Sequence, residues 1–202
     1  MQHKHKRKRI RLGSVLVVVG AAAIIAAAAM WLYNDYEDNR AASYSLERAE
    51  EIFEYIMAED PEVTVDESPA GFKYMYLGGE EYLGIISIPR LTLNLPVNVN
   101  WSYPALKKSP CRFSGSVEKN DIVIAAHNYR THFARIYTLK YGDQIAFTDV
   151  EGVRIYYSVA DIETVDPTAT RSVVSSDYDL TLFTCTYNGQ ARVVVRCLRD
   201  SD

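Results

Sequence analysis

The chain has 202 residues, with 22 Lys or Arg against 26 Asp or Glu and a formal net charge of −4. That length suits one domain with appendages, and 48% hydrophobic against 24% charged residues excludes a wholly disordered chain. Three Cys and no zinc-type Cys/His spacing exclude a disulfide scaffold and a zinc finger, and no cofactor-binding or metal-binding motif is found, so neither cofactor nor metal is expected. The average charge hides an asymmetry. Residues 1–11 carry six basic groups and no acid, which leaves 16 basic against 26 acidic residues beyond them. A nucleic-acid binder would spread positive charge over its folded part, so no nucleic-acid partner is expected.

After the basic tail (1–11), the run from Leu12 to Trp31-Leu32 carries no charge. As a helix it would span roughly 31 Å, the thickness of a bilayer core, with Trp31 and Tyr33 at its border. A retained single-pass anchor over 12–33, with residues 12–32 in the membrane, the N-terminus in the cytoplasm and the remainder exported, is preferred to a cleaved signal peptide, because the run exceeds the usual length of a signal core. Residues 34–80 are expected to hold an extracytoplasmic helix and a linker. The helix covers Ala41–Asp60, with Leu46, Ala49, Ile52/Phe53 and Ile56/Met57 on its apolar side, and Pro61 ends it. Residues 61–80 mix Pro, Gly and acidic residues and read as linker.

From 81 to 202 the texture is that of a β domain. Strands are predicted over Leu83–Ile88, Leu91–Val99, Ile122–Ala126, Gln144–Thr148, Val153–Val165, Leu180–Cys185 and Arg192–Leu198, with helical pieces near Tyr103–Lys108 and Phe133–Leu139. Many short strands in one domain predict a barrel or a sandwich. Asn188-Gly189 between two β-rich runs predicts a two-residue hairpin turn. That turn pairs Tyr187 with Gln190 and, two residues further along each strand, Cys185 with Arg192. Directly opposed residues share a face, which puts a thiol beside a guanidinium, while Leu182, Thr184, Val193 and Val195 turn inward. A fixed cation favours the nucleophilic thiolate, and the same Arg could donate to an oxyanion; the alternative is a space-filling Cys beside a solvated Arg. His127 ends the apolar run Ile122–Ala126, where a strand emerges from the core; Cys nucleophiles commonly pair with a His distant in sequence, and the alternative is a structural His. His132 falls in a loop, where a surface position is the default.

Thr181-Leu-Phe-Thr-Cys185 resembles the TLxTC signature of the sortases, membrane-anchored cysteine transpeptidases of Gram-positive bacteria. Ala126-His127-Asn128 at a strand end, an Arg on the strand after the Cys, and Gly84-Ile-Ile-Ser-Ile-Pro-Arg-Leu91 extend the likeness over the anchor and about residues 81–198. The resemblance implies a closed eight-stranded β-barrel with short helices, preceded by the membrane helix and the amphipathic helix. It implies Cys185 as nucleophile, His127 as acid/base, Arg192 as ligand of substrate and oxyanion, and Thr184 as a substrate contact. The implied partners are proteins bearing a Leu-Pro-x-Thr-Gly-like C-terminal sorting signal and an amine acceptor such as a cell-wall precursor or a pilin. A thiol hydrolase and an inactive tethered peptide-binding module are the alternatives. The segment Asp166–Tyr178 is too short for the long helix of class B members, and 61–80 lacks the Asp-Pro-aromatic lid of pilin-polymerising members. Cys111 and Cys197 have no catalytic counterpart, and a disulfide between them is left open.

Overall fold

A computed structural model describes residues 12–58, 65–174, 177–187 and 189–201. They divide into two compact units between Glu37 and Asp38. Helix α1 (Leu12–Met57) starts in the first unit, and its apolar part, with a mean hydropathy of 2.6, is long and apolar enough to cross a membrane.

The second unit is built on β1 (Val65–Glu67), β2 (Lys73–Leu77), β3 (Glu80–Ile88), β4 (Leu93–Asn98), β5 (Cys111–Ser114), β6 (Ile122–Ala125), β7 (Gln144–Asp149), β8 (Arg154–Val165), β9 (Leu180–Cys185) and β10 (Arg192–Arg199). The sheet runs β1-β2-β3-β4-β5-β6-β9-β10-β8-β7, and β7 pairs back onto β3. Eight strands, β3 to β10, therefore close a barrel, and β1-β2 is a hairpin added to the start of β3. Closure depends on Gly84, where β3 passes from β2 to β7. A Cβ there would sit 2.0 Å from the Thr148 carbonyl oxygen, and φ is +143°. Only glycine fits such an approach.

Alternation along the strands sorts side chains to two faces. Ile122, Ile124, Leu180, Leu182, Val193 and Val195 fill the barrel together with Ile86, Ile88, Phe147 and Tyr157. Val123, Ala125, Phe183 and Val194 point outward and are also buried, under Leu106 of α2 (Tyr103–Leu106) and Val173 of α3 (Thr170–Val174). Ser102 caps α2 by accepting from the Ala105 amide at 3.2 Å. Helix α2 falls in the first expected helical piece and a 3-10 turn at Ile136–Thr138 in the second, whereas α3 was not expected; it is the only helix in the described part of the β8–β9 connection.

Two expectations need correction here. The stretch expected as linker contains β1 and β2, while residues 61–64, and with them the predicted stop at Pro61, lie outside the described residues. The apolar side of the helix was read correctly at Ala49 and Ile52, which are buried, and at Ile56, which is half-buried, but not at its other positions. Leu46, Phe53 and Met57 are 59%, 57% and 67% exposed, whereas Asp38, Ala41, Ser45, Ala49 and Ile52 are buried. Spacings of three and four put those five on one stripe. Small side chains there let the helix approach closely, and Ala49 and Ile52 pack with Met75, Tyr82, Ile85 and Val150.

Candidate functional site

The site is set by three neighbouring strands, β6, β9 and β10. The parallel pair β6–β9 aligns Ile122 with Leu180 and Ala125 with Phe183, and the Ala126 amide extends it by donating to the Phe183 carbonyl at 3.1 Å. Two residues beyond the last aligned pair lie His127, just past the end of β6, and Cys185, the last residue of β9. The antiparallel pair β9–β10 aligns Cys185 with Arg192 and Arg196 with Thr181, the register derived from the hairpin pattern. Asn188 lies outside the described residues, and Gly189 takes the left-handed conformation with φ +69°. Cys185 and Arg192 thus face each other across β9–β10, about 5 Å apart at backbone level, and His127, just past the end of β6, continues this row.

Residues of the row share the outward face of Ala125, Phe183 and Val194. Cys185 is exposed, His127 and Arg192 are half-buried. Cys111 and Cys197 are buried free thiols that belong to different clusters, one under α2 and one in the barrel, so no disulfide joins them. Burial pushes the Cys111 thiol up to about 12 and raises that of Cys197 further. Both are protonated at neutral pH, which leaves Cys185 as the one solvent-accessible thiol.

The His127 ring stacks on Tyr129 with centroids 4.1 Å apart and planes 10° apart. The loop turns back at once, since the His127 carbonyl accepts from the Phe133 amide at 3.4 Å and Phe133 is fully buried. Thr184 lies inside the barrel, 2% exposed, and its hydroxyl donates to the Ala126 carbonyl at 2.9 Å. It thereby ties the strand carrying Cys185 to the residue before His127.

Arg192 lies over the Phe183 ring at 5.6 Å and reaches Thr170 of α3 with Nη1 at 3.4 Å. Its Nε is buried without a hydrogen-bond partner among the described residues. Arg196, on the same face, is differently engaged. Its Nε and Nη2 donate to Glu163 at 2.8 and 2.5 Å, and Nη2 also donates to the Ser172 carbonyl of α3 at 2.8 Å. It braces the helix that flanks the row.

His132 does not occupy the surface position expected of a loop residue. It is fully buried against the docked helix, and burial, with His127 nearby, lowers its pKa to about 4. The sequence reading also passed over Tyr129 and Thr170. Tyr129, two residues after His127, was the only available hint; Thr170 could not be found without the fold. Among the described residues no group of three or more His, Cys, Asp or Glu is set to hold a metal.

The row brings a thiol, an imidazole and a guanidinium to neighbouring positions on one sheet face, the residue types that acyl transfer through a thioester uses. A family model for the sortase domain matches residues 86–200. Among solved structures, sortase C of Streptococcus pneumoniae is 27% identical with a TM-score of 0.53, covering 60% of this chain and 70% of that one. Sortase A of Listeria monocytogenes is 25% identical with a TM-score of 0.54, covering 59% and 88%. The sortase D5 transpeptidase of Clostridium perfringens, at 20% identity, shares the fold with a TM-score of 0.59 over 79% and 99%. A search of curated proteins finds no match. With more than half its length in the sortase-domain model and sortases of classes A, C and D as structural neighbours, the chain belongs to the sortase family, whose members are cysteine transpeptidases.

Proposed function

We propose that this chain cleaves a Leu-Pro-x-Thr-Gly-like sorting signal through a Cys185 thioester and transfers the acyl group to an amine of a cell-wall precursor or pilin. The observation that supports this reading is the pairing of Cys185, the only exposed thiol, with Arg192, beside the strand that leads into His127.

In the first half-reaction the Cys185 thiolate attacks the Thr carbonyl carbon, and the carbonyl oxygen gains negative charge. The Arg192 guanidinium, with an unused buried Nε–H, donates to that oxygen. As the tetrahedral intermediate collapses, the C–N bond breaks and protonated His127 gives its proton to the departing Gly amine. A thioester remains on Cys185. In the second half-reaction the acceptor amine attacks the thioester, His127 takes its proton, and the C–S bond breaks to regenerate the thiolate. Thr184, already bonded to Ala126, serves the signal through its place between Cys185 and the His127 strand rather than through a free hydroxyl.

The basic tail, an anchor over 12–32 and the acidic remainder support a single-pass protein with a cytoplasmic N-terminus and an exported catalytic domain. That arrangement brings the groove to the outer membrane face, where secreted substrates and wall precursors meet.

The test incubates the full chain in detergent with a library of Leu-Pro-x-Thr-Gly variants and candidate amines. The expected outcome is a ligated product that requires the amine and is lost in Cys185→Ala. Release to water at a rate indifferent to the amine would make the chain a thiol hydrolase. Peptide binding without turnover would make it a tethered binding module.

A further inference from the structure

The helical segment Asp38–Met57 holds the loop after His127 at two points on its buried stripe. One helical repeat separates Asp38 from Ser45, so both project from the same side. The Asp38 carboxylate accepts from Arg130 Nε at 2.9 Å, from the Thr131 hydroxyl at 2.7 Å and from the Thr131 amide at 3.3 Å. Two turns later, the Ser45 hydroxyl donates to the Lys108 carbonyl at 2.8 Å. Its single proton is then spent, so the 3.1 Å contact between Ser45 Oγ and His132 Nε2 requires His132 to donate. His132 Nδ1 is buried and has no hydrogen-bond partner, consistent with the tautomer that carries its proton on Nε2.

Tyr129 immediately precedes these anchored residues in the loop. Its ring meets His132 on one contact, with centroids 5.5 Å apart, and His127 on the other at 4.1 Å. The Tyr129 carbonyl accepts from the His132 and Ala134 amides at 3.0 Å each, which closes the loop on itself. A shift of His132 therefore moves Tyr129, and Tyr129 carries the face of the His127 ring.

We propose that the segment Asp38–Met57 is a positioning element for His127: Ser45 fixes His132 as an Nε2–H donor, Asp38 fixes Arg130 and Thr131, and the clamped loop presents the His127 ring to Cys185. The proposal rests on His127 as the acid/base of the reaction read above. Charged groups around His132 are accounted for: Arg130 pairs with Asp38, and Lys108 pairs with Glu80. His132 stays neutral, since a second imidazolium beside His127 would disfavour the protonated form that the leaving amine needs.

The test measures steady-state transpeptidation by the full chain in detergent for Ser45→Ala, His132→Ala and His132→Gln, at a temperature where near-ultraviolet circular dichroism shows each variant folded. Ser45→Ala and His132→Ala are expected to lower kcat about 10- to 100-fold, the scale of a small displacement of a reacting group, with KM within about twofold because the groove floor is intact. His132→Gln restores a donor near the Nε2 position and is expected to recover most of kcat, a rescue that mere space-filling would not explain. Should the alanine variants not fold, Thr131→Val, which removes only the hydroxyl held by Asp38, carries the same expectation. Folded variants that keep kcat within twofold, or that change KM instead, would overturn the proposal. His127→Ala in the same assay separates the failures: if it retains activity, the acid/base reading falls; if it is dead while the clamp variants are fully active, only the clamp falls.

Discussion

Acid should weaken this fold through one histidine before its carboxylates titrate. His132 is fully buried, and burial, with the charge of His127 nearby, lowers its pKa from 6.5 to about 4. An unfolded chain takes up the proton as pH drops through 6.5, whereas the folded chain takes it up only near 4. Between those values the unfolded state binds more protons, so stability present above pH 6.5 is lost as pH falls towards 4. The full fall corresponds to roughly 3 kcal/mol, of which about 2.5 kcal/mol is lost by pH 4.5. For a domain of this size that is a drop of about 5–10 °C in Tm. Two partly buried carboxylates sit close by. Burial raises them, but donors from Thr131 and Arg130 outweigh it at Asp38, and Lys108 outweighs it at Glu80, holding both below their ordinary values. Their contributions are lost at lower pH, and Asp149, which burial raises, opposes the fall, so the histidine is isolated by comparison with a variant that lacks it. The assay is thermal unfolding of the full chain in nonionic detergent, followed by circular dichroism, for the parent and His132→Gln. The variant lacks the titrating group, so its Tm should change much less over this range and the two curves should converge as pH falls. Parallel curves would refute the assignment of His132 as a buried neutral imidazole.

Other expectations follow from single contacts. Cys185→Ala should abolish transpeptidation, whereas Cys111→Ala and Cys197→Ala should keep kcat while lowering Tm, since each removes a buried, protonated sulfur that is not part of the row. Arg192→Ala should cut kcat about 100-fold or more, the scale of a lost oxyanion donor, and Arg192→Lys should recover little because an ammonium lacks the planar fork. Arg196→Ala should keep kcat within about severalfold yet cost about 1–3 kcal/mol in denaturant unfolding, because Glu163 and the Ser172 carbonyl lose their donor. Gly84→Ala should be among the most destabilising single changes, about 3 kcal/mol or more by the same unfolding assay, from its +143° φ and the 2.0 Å approach to Thr148.

The hairpin was readable because strand alternation and turn chemistry are local. The order Leu-Thr-Leu-Phe-Thr-Cys and Arg-Val-Val-Val-Arg has one low-cost pairing, and it is the observed one. Seven of the eight barrel strands were readable for the same reason. The eighth, β5, was not: Cys111-Arg-Phe-Ser114 is short, shifts register between Arg112 and Ser114, and meets β4 in a single parallel pair. The docked helix misled for a different reason. Periodicity weighs large apolar residues, which added Leu46, Phe53 and Met57 to the correctly read Ala49 and Ile52, whereas the packed face continues through Ala41 and Ser45 because close approach needs small side chains. The environment of His132 depends on Ser45, 87 positions away in sequence, and no local pattern records such a contact. Cys185 and Arg192 were legible as neighbours; that Arg192 keeps a free donor while Arg196 is spent on Glu163 and α3 required the fold.

The most direct test is to trap the reaction midway. The full chain is mixed with a Leu-Pro-x-Thr-Gly peptide without added amine, quenched in acid, digested, and read by tandem mass spectrometry. Transpeptidation by the proposed route gives a peptide containing Cys185 that is heavier by the Leu-Pro-x-Thr acyl group. The adduct disappears on adding the acceptor amine as the ligated product appears. An adduct on Cys111 or Cys197, or amine-dependent ligation that persists in Cys185→Ala, would contradict the central claim.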